Sequence, residues 1–273
     1  MKPSRRRRPF VDLRAAELEP AARVDPGMFL GRFDAAALRQ ELADAGILDG
    51  LAARGYRDVV VRTSVDEGEH QLKIFFAGGA SALVDLRLAE ASSLLREPLL
   101  LRLGLEVLSF LSMHWLALQD PRAPFSPDRP RLPGQDHPGL GLLKHFYLRL
   151  IRWAEDWGKD GLINFPDYYH NAVFYSQAFR FVSPARQGRF EALRAALAPV
   201  GVAAASWAVD EGRVREEVEG VRKPFVWEPG EMVAPLAPDL RHYLESEAYR
   251  RAAEAARAKA RFVVEGRGEV ERR

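Results

Sequence analysis

The stretch Gln135-Asp136-His137-Pro138-Gly139-Leu140-Gly141 is the point from which the fold of this chain can be predicted. It closes a loop over 120–138 that holds six of the 18 prolines, and it precedes an amphipathic helix predicted over 140–157. The first N–H groups of a helix have no partner within the helix, and they carry the positive end of the helix dipole. Glycine lets a ligand come close to the main chain. The stretch therefore indicates a site for phosphate or another anion, unless the glycines serve only to pack the helix against a neighbour.

Composition and charge narrow the class of protein. The chain has 273 residues and no cysteine, which excludes disulfides, thiolate nucleophiles and cysteine-based metal sites. Lys2 and Arg5 to Arg8 carry five positive charges, so removing them from the net charge of +2 leaves the remainder at −3. The body of the chain therefore lacks the basicity of a nucleic-acid-binding domain. Only the Arg5–Arg8 tail is expected to contact nucleic acid, and a flexible, solvated tail is the simpler interpretation.

The sequence predicts no membrane partner. The arginines are followed by Pro9-Phe10-Val11-Asp12 and not by an apolar run, so a secretory signal is not expected. The most apolar region, 99–118, contains Arg102, Glu106 and His114, which argues against a membrane span. We therefore expect a cytoplasmic protein.

The front half of the chain predicts a helix and an antiparallel meander. Asp34 is placed to cap a helix over 33–54, and three strands follow, at 57–65, 70–76 and 82–88, with alternating apolar residues. The segment 98–119 is ambiguous, and we expect a helix that begins at Pro98, followed by a strand that ends near Asp120.

The back half is predicted from shorter patterns. The expected elements are a strand at 162–165, a short helix and a strand within 167–182, a helix after Ser183-Pro184, strands and loops over 201–236, and a final helix at 239–262. The fold class is therefore α/β (α+β), with a mixed, largely antiparallel central sheet flanked by helices and a βαβ-like unit from about 113 to 165. The expected organisation is an N-terminal arm (1–30, flexible at 1–8), a domain (31–200) and a C-terminal extension (201–273) that ends in a helix.

This order of elements resembles the GNAT superfamily of acyl-CoA-dependent N-acetyltransferases. That family has a Gln/Arg-x-x-Gly-x-Gly/Ala loop after its fourth strand. The matching register here is 136–141, so Asp136 stands where Gln or Arg is usual, and Gln135 lies one residue too early. Downstream, Asn171-Ala172 and Tyr175 resemble the family's Asn…Ala…Tyr-x-x-x-Gly-Phe pattern, with Phe179 in place of the glycine. The resemblance covers roughly residues 35–182.

The resemblance implies a GNAT-like fold and transfer of an acyl group from acetyl-CoA or another acyl-CoA to a small-molecule or peptide amine. It implies a set of cofactor-binding residues, namely Leu118, Gln119, Gln135, Gly139, Leu140, Gly141 and Asn171. Among these, the three loop amides at 139–141 would hold the CoA pyrophosphate, and the strand near 116–119 would pair with the pantetheine arm. Tyr175 matches the tyrosine that protonates the leaving thiolate, and its ordinary pKa of about 10 suits that role.

Several residues can be interpreted in two ways. Asp136 would repel a pyrophosphate, so we expect its carboxylate to turn away and cap the helix. His114 and Glu106 are the candidate general bases, although His114 could be structural beside Trp115 and Glu106 a solvated charge. Tyr168, Tyr169 and Tyr175 are either pocket residues or core residues.

No metal site is expected, because His-x-x-x-His and His-Glu-x-x-His spacings are absent from the sequence. A Gly-x-Ser-x-Gly elbow is absent too. Two other functions stay open. The departures at Asp136 and Phe179 favour a non-catalytic relative that binds a small molecule or a protein partner, and the Arg5–Arg8 tail is compatible with a regulatory protein that contacts nucleic acid.

Overall fold

The computed structural model describes residues 27–105, 107–218 and 220–265. Residues 1–26 and Glu106 lie outside this range, so the predictions made for the Arg5–Arg8 tail and for Glu106 as a base concern residues that are not described.

The described chain alternates helices and strands. The strands are β1 (Val59–Asp66), β2 (Glu69–Phe76), β3 (Ala82–Leu94), β4 (Val107–Leu118), β5 (Gly161–Asn164), β6 (Arg180–Phe181), β7 (Val214–Val218), β8 (Val221–Pro224), β9 (Met232–Pro235) and β10 (Phe262–Val264). The helices are α1 (Ala35–Asp44), α2 (Ile47–Ala52), α3 (Pro98–Leu101), α4 (Leu143–Asp156), α5 (Tyr169–Tyr175), α6 (Pro184–Leu197), α7 (Gly201–Asp210), α8 (Pro238–Glu245) and α9 (Glu247–Lys259).

Seven strands form the central sheet, in the order β1-β2-β3-β4-β5-β9-β6. Its neighbours are antiparallel except for β4 and β5, which are parallel and are joined through α4. A separate sheet has the order β10-β7-β8. The predicted fold class is therefore confirmed as α+β, with a mixed, mostly antiparallel sheet flanked by helices. The predicted βαβ unit is β4-α4-β5.

Apolar residues cover both faces of this sheet. One core holds Leu72, Leu86, Leu111 and Leu162 of the sheet beneath residues of α1, α2 and α4. The opposite face of β4, β5 and β9 carries Leu108, Phe110, Ile163 and Val233, which pack against α3, α8 and α9. The period of two along a strand sends alternate residues to these two cores.

The predicted helix over 33–54 is two helices. Asp34 caps α1 as expected, because its side chain accepts a hydrogen bond from the Ala37 N–H at 2.8 Å. The chain then turns at Gly46, whose φ of +69° is a conformation that glycine adopts without strain. This turn lets α1 and α2 both bury leucines against the sheet, which a straight helix of that length could not do.

The segment after residue 200 differs from the prediction. The expected strands and loops begin with a helix, α7, and the expected final helix is divided into α8 and α9 at Ser246, with β10 after it. More importantly, β9 lies between β5 and β6 in the central sheet. A four-residue strand buried in the middle of a sheet has no alternating pattern to reveal it. The expected boundary at residue 200 therefore cuts through a shared sheet.

One helical stretch of the described chain, Pro184–Asp210, is long and apolar enough to cross a membrane by length and composition. It comprises α6 and α7, which are separated by a 3-10 turn at Ala198–Val200 and by Gly201 at φ +74°. Phe190, Leu193 and Leu197 of α6 are buried in the protein core. One face of this helical stretch is therefore buried in the protein core.

Candidate functional site

The two parallel strands are paired over only four rungs. Phe110 to Met113 of β4 pair with Gly161 to Asn164 of β5, and β5 ends there while β4 continues to Leu118. On its other side, β4 has an irregular register with β3, because Met113 pairs with Leu88 and Trp115 pairs with Arg87. His114 is the extra residue of a β-bulge, a feature that bends a strand and redirects its side chains. β4 and β5 therefore separate at the position of a bulge.

The loop before α4 presents backbone donors. Within the described residues, the N–H groups of Gly139, Gly141, Leu142, Leu143 and Lys144 donate to neither a backbone nor a side-chain acceptor. The N-cap residue, Leu142, makes no side-chain cap. Such donors lie at the positive end of a 14-residue helix. The predicted anion site therefore has open donors.

Two details of that site differ from the prediction. The Leu140 N–H is not open, because it donates to the Leu118 carbonyl at 3.3 Å. Asp136 does not cap α4: its side chain is 83% exposed, and its carboxylate lies 4.0 Å from the Arg131 guanidinium. The unfavourable carboxylate is thus directed into solvent beside a positive charge, where it does not oppose an anion at the amides.

Cationic side chains surround the open amides. The Arg54 guanidinium lies beside Gly141, since a Cβ added at Gly141 would be 3.3 Å from its Nη2 atom. Arg54 is held there by a hydrogen bond from Nη1 to the Gly50 carbonyl at 2.7 Å. Lys144, in the first turn of α4, is exposed. A phosphate at the amides would therefore lie near two positive side chains, and Arg54 comes from the turn that follows α2, far earlier in the chain.

The strand end predicted to bind the pantetheine arm is partly occupied. The Leu118 carbonyl accepts from Leu140, and the Gln119 N–H donates to the Leu83 carbonyl at 2.9 Å. The Gln119 side chain also donates to the Ala82 carbonyl. Backbone groups alternate sides along a strand, so those of Leu116 face the same side as the Leu118 carbonyl. The edge on the β5 side is thus open at Leu116. Leu118 holds the loop, whereas Gln119 bonds only to β3.

Gln135 also has a local role. Its side-chain oxygen accepts from the Leu132 N–H at 3.2 Å, and its carbonyl accepts from the Arg131 side chain at 2.8 Å. These bonds close a turn in the proline-rich loop. Gln135 therefore shapes the loop, and its role in cofactor binding stays a prediction.

The proline-rich loop is fixed at both ends and in the middle. Tyr56 donates to the Asp120 carboxylate at 2.5 Å, and Arg122 stacks over the Tyr56 ring with its guanidinium carbon 4.7 Å from the ring centre. Farther along, the Trp207 indole donates to the Arg131 carbonyl at 2.8 Å. A Cβ added at Gly134 would lie 2.6 Å from the Tyr168 hydroxyl. The loop thus runs from the end of β4 to α5 and α7 and back to β4.

Tyr175 ends α5 and packs against the main core. Its ring lies 5.7 Å from that of Phe179, which in turn lies 5.8 Å from the ring of Tyr147 on α4. Burial, with the Asp167 carboxylate nearby, raises the pKa of Tyr175 to about 12. No described residue hydrogen-bonds its hydroxyl. The phenol therefore stays protonated at neutral pH and has a hydroxyl available for a ligand. Asn171 is half-buried on the same helix.

His114 forms a pair that the sequence did not reveal. Its Nδ1 atom lies 2.8 Å from Glu69 Oε2, and the Arg87 guanidinium lies 3.8 Å from the other oxygen of Glu69. Glu69 comes from β2, 45 residues earlier, and reaches across β3. It lies on the face of β2 opposite the buried His70, Leu72 and Ile74. A carboxylate in this position orients the imidazole ring.

The predicted residues lie on two faces of the sheet. Tyr175 packs on the face of the main core, and His114 lies on the open face of the meander, beside Glu69. We call the region past the last paired rung of β4 and β5, at Met113 and Asn164, the gap between β4 and β5. Glu69 and Arg54 were missed by sequence reasoning, because each comes from a distant element and has no local motif.

Among the described residues, no group of three or more His, Asp or Glu side chains is placed to hold a metal ion. Compared with protein-family models, with curated proteins and with solved structures, the chain matches none.

Proposed function

We propose that this chain binds an acyl-CoA and transfers its acyl group to an amine, as a GNAT-like N-acyltransferase. The observation that carries the proposal is the row of unpaired backbone amides at the start of α4, next to the end of β4 and to Arg54. A pyrophosphate needs several donors and positive charge, and this loop offers both. The parallel pair β4 and β5, which separates past Met113, supports the proposal with an open strand edge for the amides of the pantetheine arm.

The proposed chemistry assigns two residues to proton transfer. His114, oriented by Glu69, accepts the proton of the attacking amine as the C–N bond forms. The Tyr175 hydroxyl donates a hydrogen bond to the sulfur as the C–S bond breaks. A thiol has an ordinary pKa of about 8.5, well below that of the buried phenol, so Tyr175 acts mainly by hydrogen-bonding the departing sulfur until solvent supplies the proton.

Calorimetric titration with CoA and with pantetheine tests the binding part of the proposal. CoA carries the pyrophosphate and pantetheine does not. We therefore expect CoA to bind at least about tenfold more tightly, which is a difference of about 1.4 kcal/mol in binding free energy. Equal affinities, or no binding of CoA at millimolar concentration, would contradict a diphosphate site at the amides.

Gly139→Ala provides a variant for the same titration. A Cβ at Gly139 would lie 3.8 Å from the Leu118 carbonyl, which is ordinary contact, so the fold should tolerate the change. The added methyl would instead stand where a ligand approaches the Gly139 N–H. We expect weaker CoA binding with an unchanged Tm. The control is Gly158→Ala, at the far end of α4, which should leave CoA binding unchanged.

A second candidate is a non-catalytic binding protein. It is favoured by the hydrogen bond from Leu140 that already occupies the Leu118 carbonyl, because this bond shortens the strand edge available to a pantetheine arm. Release of free CoA thiol in the presence of a panel of primary amines separates the two functions. Tight CoA binding without thiol release for any amine would favour the binding protein.

A further inference from the structure

Asn164 is the most unusual polar residue at the gap between β4 and β5. It is the last residue of β5 and is 2% exposed. Neither the oxygen nor the nitrogen of its side-chain amide has a hydrogen-bond partner among the described residues. Buried amides are normally paired, because an unpaired one loses its bonds to water without replacement. An amide with both atoms unpaired therefore indicates a ligand-binding role.

The neighbours of Asn164 cannot satisfy it. In the sheet it pairs with Met113 of β4 and with Met232 of β9, and Met232 is fully buried. Thioether sulfur is at most a weak acceptor. Thioether side chains also adapt to irregular apolar shapes. The residues paired with Asn164 in the sheet are thus apolar.

A second buried polar side chain lies on α5. His170 is 3% exposed, and its Nδ1 atom is unpaired among the described residues. Its ring stacks on that of Tyr168 at 5.3 Å, and Tyr168 lies against Gly134 of the proline-rich loop. His170 is therefore on the side of α5 that faces this loop, which begins at the end of β4.

The position along β4 identifies which part of the substrate reaches Asn164. The edge from Leu118 back to Met113 spans about 17 Å, at about 3.4 Å per residue. If the pyrophosphate binds at the start of α4, an extended arm running along this edge brings its thioester end to the rung of Met113 and Asn164. Asn164 would then contact the acyl group.

We infer that Asn164 selects an acyl group that carries a neutral hydrogen-bonding substituent such as a hydroxyl. This inference rests on the proposed acyl-CoA binding and specifies the acyl donor. A plain acetyl group offers only a carbonyl acceptor, which would leave the Asn164 oxygen unpaired, whereas a hydroxyl both donates and accepts. The described groups at the site are uncharged, and the charged group near Tyr175 is the Asp167 carboxylate. An anionic acyl group is therefore disfavoured.

The test compares the affinities of the full chain for racemic 3-hydroxybutyryl-CoA and for butyryl-CoA, which lacks the hydroxyl. Titration calorimetry measures both. We expect the hydroxyacyl ester to bind at least about tenfold more tightly, because sites built to bond a hydroxyl discriminate strongly against analogues that lack it. Succinyl-CoA, which ends in a carboxylate, should bind more weakly than 3-hydroxybutyryl-CoA.

Asn164→Leu should abolish the difference between the two butyryl esters. It should also raise Tm by roughly 2–4 °C, since it removes unpaired polar atoms from the interior. Ile163→Val is the control, because Ile163 faces the opposite core, and the variant should keep the wild-type preference.

Equal binding of the two butyryl esters to the wild-type protein overturns the inference and leaves the acyl-CoA proposal standing. Tightest binding of succinyl-CoA, or a hydroxyl preference that survives in Asn164→Leu, also overturns it. If neither butyryl ester binds, both the inference and the proposed function fail. The comparison of the two butyryl esters on the wild-type protein tests the inference even if Asn164→Leu does not fold.

Discussion

At the residue scale, the molecule keeps several polar side chains in costly environments near one gap in the sheet. The Asn164 amide and the His170 Nδ1 atom are buried without a hydrogen-bond partner among the described residues, and burial raises the pKa of the Tyr175 phenol. Natural proteins retain unpaired polar groups mostly where function requires them. These residues are therefore the first candidates for substitution.

Tyr175→Phe removes a single oxygen and separates catalysis from binding. If the hydroxyl stabilises the leaving sulfur, kcat should fall by about 10- to 100-fold, in the range of a positioned proton donor, while the Kd for acyl-CoA changes little. Steady-state assays of thiol release together with calorimetry measure both quantities. Stability should be unchanged or slightly higher, because the hydroxyl bonds no described residue.

The matched control is Tyr147→Phe. Tyr147 belongs to the same aromatic group and also has its pKa raised by burial, but it lies on α4. Its variant should keep wild-type turnover. Equal kcat values for Tyr175→Phe and the wild-type protein would exclude Tyr175 from the chemistry.

At the element scale, one ion cluster joins three parts of the chain. Glu90 of β3 binds Arg32, which precedes α1, and Lys159, which follows α4. Arg32 also stacks over Trp157, with its guanidinium carbon 4.3 Å from the ring centre. Burial raises the pKa of Glu90, but the hydrogen bonds from Lys159 and Arg32 lower it more, and the net pKa is lowered. The cluster thus fixes the start of α1 and the end of α4 to the sheet.

Glu90→Gln should lower the free energy of unfolding by about 1–3 kcal/mol, because it leaves Lys159, which is 12% exposed, without its counter-charge. Urea unfolding at pH 7 measures the change. The control is Glu247→Gln, which removes an exposed pair with Arg251 on α9 and should cost less than about 0.5 kcal/mol. A similar loss for the two variants would show that the cluster on β3 contributes no more than a surface pair.

Elements with a regular pattern were predicted well. The alternating residues of β2 and β3 and the cap at Asp34 act locally, so the sequence was sufficient for them. The bulge at His114 was not predictable, because it is defined by the register with β3 and not by β4 itself. The same is true of the Glu69–His114 pair, which spans three strands.

At the scale of the whole molecule, two buried histidines make folding sensitive to acid. Burial lowers the pKa of His70, whose Nδ1 atom accepts from the Leu30 N–H at 2.9 Å, and burial lowers the pKa of His170 to about 4. Both are neutral in the folded protein at neutral pH. The unfolded chain binds their protons near pH 6.5, so it binds more protons than the folded protein below that pH.

The free energy of unfolding should therefore be constant above about pH 6.5 with respect to these groups, and it should fall as the pH drops from about 6.5 towards 4. The slope is at most about 1.4 kcal/mol per pH unit for each histidine. Urea unfolding at a series of pH values measures it. The double variant His70→Gln, His170→Phe should flatten the curve in this window. An unchanged slope in the variant would mean that other groups cause the acid sensitivity.

The sequence by itself determined the strands of the meander, the cap at Asp34, the mixed α+β class and the loop that presents backbone donors, because alternation, capping and glycine chemistry act over a few residues. Tertiary structure decided the insertion of β9 beside β5, the pairing of Leu140 with Leu118, and the approach of Arg54 and Glu69 to the candidate site. These contacts join residues that lie far apart in the chain, and only the packing of the two cores against the sheet brings them together.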